Sequence, residues 1–205
     1  MHISWLGHTT IKIQAKPADK DITIIIDPYK TTNGINPRSL TPQIALFTHG
    51  EKNSITLSGN PFVLSSPGEI DTQGVLISAI NGNDEKHIVV RVDVENMSIG
   101  HLGLTNVQPD ERQLDILSGV DILCIPVGHP DSYDATAAVK AVNTIEPRVV
   151  IPIAFQSDND PNAKPVDVFL KEIGAKTDVP EKKVILKKSS LPQEETEVIV
   201  LAKDV

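Results

Sequence analysis

The feature that most constrains this chain is a succession of short β-branched and aliphatic runs through its first half, each closed by a turn cluster. Ile11-Lys12-Ile13 alternates, Ile22 to Ile26 ends at Asp27-Pro28, and Ile44 to Phe47 gives way to the polar loop Thr48 to Ser54. Phe62 to Leu64, Val75 to Ile80, Ile88 to Val94 and Met97 to Ile99 continue the series. Runs this short, separated by clusters such as Asn81-Gly82-Asn83-Asp84, predict strands of an antiparallel or mixed sheet. The second half changes rhythm. Pro109 to Leu117, Ala135 to Ile145 behind Asp134, and Pro165 to Ile173 before Gly174 carry helical spacing and helix-end residues. The apolar runs Val120 to Val127, Val149 to Ile153, Val184 to Leu186 and Val198 to Leu201 lie around them as strands. The polar stretch Ser157 to Lys164 reads as a surface loop. Aromatic residues are only 3% of the chain, so the core must be aliphatic. The whole predicts an α/β protein, and 205 residues suit a single domain over 1–205.

Charge and cysteine content remove several functions. Lys plus Arg is 19 against Asp plus Glu 27, a formal charge of −8. Phosphate backbones and anionic membranes repel such a surface except at a local basic patch, so nucleic acid is an unfavourable partner. Cys124 is the sole cysteine, which excludes an intrachain disulfide and a cysteine-rich metal site. The opening residues lack the pattern of a secretion signal, and no run of about 18 apolar residues occurs. The expectation is a cytoplasmic protein without a membrane partner, whose partner is a small molecule or another protein. Gly-x-Ser-x-Gly, the Walker motif and Gly-x-Gly-x-x-Gly are all absent.

Histidine placement carries the most functional information. His2, His8, His49, His101 and His129 fall near strand ends or in the loops after them, where α/β sheets place their sites; His87 starts a strand. The segments around them occur in a familiar order. Trp5-Leu6-Gly7-His8-Thr9-Thr10, Ile25-Ile26-Asp27-Pro28, Phe47-Thr48-His49-Gly50, Pro67-Gly68-Glu69-Ile70 and Ser98-Ile99-Gly100-His101-Leu102-Gly103 follow one another. Val120 to Leu123, Pro126-Val127-Gly128 and Pro147 to Pro152 complete the series. Together they resemble the metallo-β-lactamase-fold hydrolases, nearest the small zinc-dependent hydrolases related to ascorbate-6-phosphate lactonase. The resemblance implies a four-layered αββα sandwich with its site along one edge of two packed sheets.

It also implies zinc, held by imidazole and carboxylate ligands, which acidifies a bound water. The residues at the implied ligand positions are of the wrong kind. Where the family loop reads His-x-His-x-Asp-His, this chain has His49, Glu51, Asn53 and Ser54. Asn81, Leu104 and Ala154 stand at the remaining ligand positions. Only His49 is retained, and a zinc site needs at least three protein ligands. The preferred expectation is therefore a hydrolase homologue without the metal, without a catalytic residue set and without the ancestral hydrolysis, kept as a binding or structural scaffold. Its rival is a metal-dependent hydrolase with a rearranged site drawing on His49, Glu51 and either His101 or His129. A metal-free acid–base site of His and Asp is a third reading without a motif. The candidate cleft residues are His8, Asp27, His49, Glu51, His101 and His129. Asp27 and His101 have structural readings as well: a strand-end turn residue, and an imidazole bonded to loop backbone.

Overall fold

The computed structural model describes residues 1–84, 86–176 and 180–204. Strands β1 (His2–Gly7), β2 (Thr10–Ala15), β3 (Ile22–Ile26), β4 (Ser39–Leu40), β5 (Ile44–Leu46), β6 (Thr56–Leu57) and β7 (Phe62–Leu64) come first. They are followed by β8 (Gly68–Thr72), β9 (Val75–Asn81), β10 (Ile88–Val94) and β11 (Met97–His101). Helix α1 (Glu111–Leu117), β12 (Ile122–Pro126), α2 (Ala135–Ile145), β13 (Val149–Ile153), α3 (Val166–Ile173), β14 (Lys183–Ile185) and β15 (Glu197–Val198) end the chain. One sheet has the order β14-β1-β2-β3-β5-β7, the other β15-β13-β12-β11-β10-β9-β8, and β4 pairs with β6 alone. Both large sheets are mixed. Their antiparallel parts are hairpins together with the long-range pair β1–β14, and β3-β5-β7 and β11-β12-β13-β15 run parallel. This is the α/β sandwich of the metallo-β-lactamase type.

Aliphatic alternation holds the two sheets together. In β2 and β9 one face is buried, with Ile11, Ile13, Val75 and Ile77 inside. Strands β12 and β13 are buried along their whole length, because helices cover their outer face. Helix α1 packs on β9 and β10, α2 on β12, and α3 on α2. The expected inward positions of α2, Ala138, Val142 and Ile145, are all buried. Among the described residues no helix is long and apolar enough to cross a membrane.

Some boundaries differ from expectation for identifiable reasons. Helix α1 starts at Glu111 because Asp110 serves as N-cap: it accepts the Gln113 N–H while the Gln113 side chain accepts the Asp110 N–H. Pro165 is likewise the N-cap of α3. The Val198 to Leu201 run pairs as a strand only at Glu197–Val198. Strands β1 and β8 have no counterpart in the β-branched pattern, since β1 reads His-Ile-Ser-Trp-Leu-Gly and β8 is a largely exposed edge.

The polar break in the run Val120 to Val127 also has a cause. Asp121 is buried just before β12, where it accepts the Ser98 N–H at 2.9 Å and the Lys188 ammonium at 2.7 and 2.8 Å. Burial works to raise its pKa, but the bonds from Lys188 and Ser98 outweigh it and hold the carboxyl below its ordinary value. A depressed folded pKa adds stability above the unfolded value and loses it as pH falls through the folded one. Asp121→Ala should therefore cost about 1–3 kcal/mol at neutral pH. The deficit should shrink near pH 3. Denaturant melts of both proteins at the two pH values check this.

Candidate functional site

The site is built where parallel strands end. Asp27 follows β3, Thr48 and His49 follow β5, His129 follows β12, and Ala154 and the Ser157 to Lys164 loop follow β13; His8 sits in the turn between β1 and β2. Loops at the carboxyl ends of strands are the usual position for a site in an α/β sheet. Three of these residues hold left-handed backbone: His8 (φ 50°), Asp27 (φ 54°) and Ala154 (φ 55°). Such conformations are costly for residues with a Cβ and persist only where the surroundings enforce them. At His8 the enforcement is visible. Its carbonyl accepts both the Trp5 indole N–H at 2.8 Å and the Ala154 N–H at 2.9 Å, and Trp5 packs on Phe155 at 4.4 Å between centroids.

A cavity of about 370 Å³ opens between these loops, lined by His8, Tyr29, Lys30, His49, His129 and Asp160 among others. His8 Nδ1 lies 2.9 Å from Asp160 Oδ1, and His129 Nε2 lies 3.9 Å from the same oxygen. Ligand atoms of His8, His129 and Asp160 all fall within 4.8 Å of one another. The second Asp160 oxygen, Oδ2, is buried without a hydrogen-bond partner. Burial and the neighbouring His8 lower the His129 pKa, against the pull of Asp160 and Asp131.

The expected surface loop at Ser157 to Lys164 is present, with Asp158, Pro161, Asn162 and Lys164 exposed, but part of it turns inward. Asn159 and Asp160 are buried, at 5% and 7% exposure. The Asn159 amide donates to Thr31 Oγ1 at 2.6 Å and to the Asn33 carbonyl at 2.8 Å, fastening this loop to the one after Tyr29. Asp158 accepts from the Ile35 N–H and from Lys203. Gly7, at φ 104°, lets the loop close: a Cβ there would stand 2.1 Å from Asn159 Oδ1. Asp160 was missed in the sequence because it lies 152 residues from its partner His8, and its neighbours are ordinary turn formers.

The remaining candidates divide. Asp27 is fully buried, and its carboxylate accepts the Thr48 N–H at 2.6 Å and the Thr48 hydroxyl at 2.7 Å. With its proton directed to Asp27, the Thr48 oxygen can accept from His49 Nδ1, 3.0 Å away, which leaves His49 Nε2 as the ring's acceptor. The His49 ring also lies against Tyr29, 4.1 Å between centroids, and the His49 backbone N–H donates to the Tyr29 hydroxyl. Burial lowers the His49 pKa while Asp27 works against that shift. Asp27 lies behind the cavity lining, and His101 and Glu51 do not join it either. His101 is wholly buried, with Nε2 donating to the Thr9 carbonyl at 2.9 Å and Nδ1 accepting the Gly103 N–H at 3.0 Å, so its ring is committed to backbone. Burial keeps it neutral by lowering its pKa. Glu51 is exposed and accepts from the Ser65 hydroxyl. Cys124 is buried within β12, with its thiol pKa pushed up to about 12 by burial, so it is no nucleophile.

The zinc centre implied by the resemblance does not fit these residues. Ala154 has no donor atom, and Leu104 lines a separate cavity with His87 and Tyr133. The Ser54 hydroxyl donates to the Ile55 carbonyl. Of the implied ligand positions, His49 and Asn53 face the main cavity.

Comparison with known proteins defines the class. Residues 2–154 match the family described as the β-lactamase superfamily domain, so the chain belongs to the metallo-β-lactamase superfamily. A relative from Methanosarcina mazei, named a metal-dependent hydrolase, is 22% identical over 219 residues, covering 87% of this chain and 93% of its own. One from Lysinibacillus sphaericus with the same description is 25% identical over 199 residues, covering 77% and 86%. A Thermotoga maritima structure, assigned to the Zn-dependent hydrolases of the metallo-β-lactamase superfamily, superposes with TM-score 0.79 at 24% identity over 98% of this chain and 97% of that one. A metallo hydrolase from Ignicoccus hospitalis does so with TM-score 0.66 at 15% identity, over 91% and 99%.

The split between His49 and His101 is measurable. His101→Ala removes two satisfied hydrogen bonds and leaves a void in the interior, and should cost about 2–4 kcal/mol. His49→Ala, at the wall of a cavity, should cost less than about 1 kcal/mol. Thermal or urea melts of the two variants check the order.

Proposed function

We propose that this chain keeps the superfamily scaffold and its edge cavity to bind a small anionic ligand, and that it does not perform the metal-dependent hydrolysis for which its relatives are named. The observation that carries this reading is the chemistry of the implied ligand positions. Leu104 and Ala154 replace donors with alkyl groups, and Glu51 is turned to Ser65. With those donors gone, no ion held at the family's positions stabilises a developing oxyanion or supplies a metal-bound hydroxide near neutral pH. General-base assistance by a side chain alone is worth only about 10²–10⁴-fold. The charge of the cavity supports the ligand class. Lys30 and Lys52 line it against the carboxylate of Asp160, in a chain whose net charge is −8.

The rival is a metal-dependent hydrolase with a rearranged site. Its support is the His8, His129 and Asp160 group together with the description of the relatives as metal-dependent hydrolases. Neither Glu51 nor His101 belongs to that group. Lactone, β-lactam, thioester and phosphodiester substrates, assayed with and without chelator, separate the two readings. The expected result is no turnover above the chelator-treated control. Turnover that disappears on chelation and in His129→Gln would overturn the binding reading in favour of the rival.

A further inference from the structure

We propose that His8, His129 and Asp160 form a site for a single divalent cation of the zinc class, made of residues outside the family's ligand positions. The donor set suits such an ion: two imidazoles and a carboxylate are the ligand types of borderline divalent metals. The spacing suits it too. Three ligands at 2.0–2.2 Å from one tetrahedral ion stand roughly 3.3 Å apart. The observed separations of 2.9 and 3.9 Å from Asp160 Oδ1 bracket that figure, so small side-chain adjustments would close the site.

A second, independent observation points to a ligand. Asp160 is 93% buried by its 7% exposure, and its Oδ2 has no partner. A buried carboxylate oxygen without a partner is costly. A cation that engages both oxygens of this carboxylate would remove that cost. The surroundings hold the ligands in place. The His8 backbone is pinned by Trp5 and Ala154, and the Asp160 loop is tied through Asn159 to Thr31 and Asn33. His129 Nδ1 accepts the Asp131 N–H at 3.1 Å and lies 3.8 Å from the Asp131 carboxylate. For Nε2 to ligate, Nδ1 must carry the proton and give up the Asp131 N–H bond; a small shift of the Asp131 carboxylate, now 3.8 Å away, would let it accept the Nδ1–H instead. Outer carboxylates commonly orient ligating histidines in this way.

Three protein ligands leave coordination positions open toward the cavity, next to Lys30, Lys52 and His49. The cation would supply a direct bond to a carboxylate or similar anionic group, which gives the binding cavity its anchor. The inference goes beyond the proposed function and fails separately from it. Hydrolysis by zinc-loaded protein would overturn the binding reading and leave the cation site standing.

The test is calorimetric titration of the chelator-stripped full chain with zinc chloride, with Co²⁺ absorption as a second readout. One equivalent of zinc should bind, raise the melting temperature, and give with Co²⁺ visible bands of nitrogen and oxygen coordination. Asp160→Asn and His129→Gln, both close in shape to the native residues, should each weaken zinc affinity by more than the 10–100-fold typical of outer-shell changes, and should abolish the Co²⁺ bands. Their melting temperatures without metal report that they fold. His87→Ala, whose ring pairs with Asp84 outside the group, should retain wild-type affinity. Absence of stoichiometric binding overturns the proposal. So does binding that survives both substitutions, or binding that depends on His49 and not on Asp160.

Discussion

The bond pair between the buried Asp27 carboxylate and Thr48 is the constraint on which the site depends. A carboxylate with no exposure must be satisfied inside the protein, and Thr48 satisfies it twice, through its N–H and its hydroxyl. The pair joins the end of β3 to the end of β5. The Asp27 N–H donates to the Leu46 carbonyl, and its own carbonyl accepts the Thr10 hydroxyl, which brings in the β1–β2 turn as well. Through the Thr48 hydroxyl it also sets the orientation of His49. The left-handed backbone at Asp27 is tolerable because all of these contacts specify it together.

Seen from this centre, the loops form two assemblies with different histories of use. The Asp27–Thr48–His49 relay is of the kind that orients a metal-ligating imidazole. Ala154 keeps a left-handed conformation and its bond to the His8 carbonyl while offering no donor side chain. Its backbone therefore serves the framework after its side chain has left the chemistry. Facing the relay across the cavity, Asp160 brings His8 and His129 together through a loop that the β13 end delivers.

Much of the fold was readable in the sequence because its signals are local. The β-branched runs mark the interior strands, and Asp110, Asp134 and Gly174 mark helix ends through caps of one turn. Strand β1 escaped because Ser4, Trp5 and Gly7 break the aliphatic pattern, and β8 because an exposed edge strand needs little apolar character. The histidines of the site were legible as loop residues after strands. Which of them share a cavity was not, because that depends on tertiary closure. His101 follows the same local rule as His129, yet the backbone of Thr9 and Gly103 claims both of its ring nitrogens. Asp160 carries no local signal at all: it becomes a site residue only because Asn159 and Gly7 press its loop against the first hairpin.

On this reading the cation of the scaffold sits among His8, His129 and Asp160 rather than at the family's ligand positions. Anomalous diffraction at the zinc edge, from crystals of the chelator-stripped chain soaked in zinc, tests it most directly. The account predicts one peak in contact with His8, His129 and Asp160 and none coordinated by His49. A pair of peaks bridged at His49, or no peak between the two imidazoles and Asp160, would contradict it.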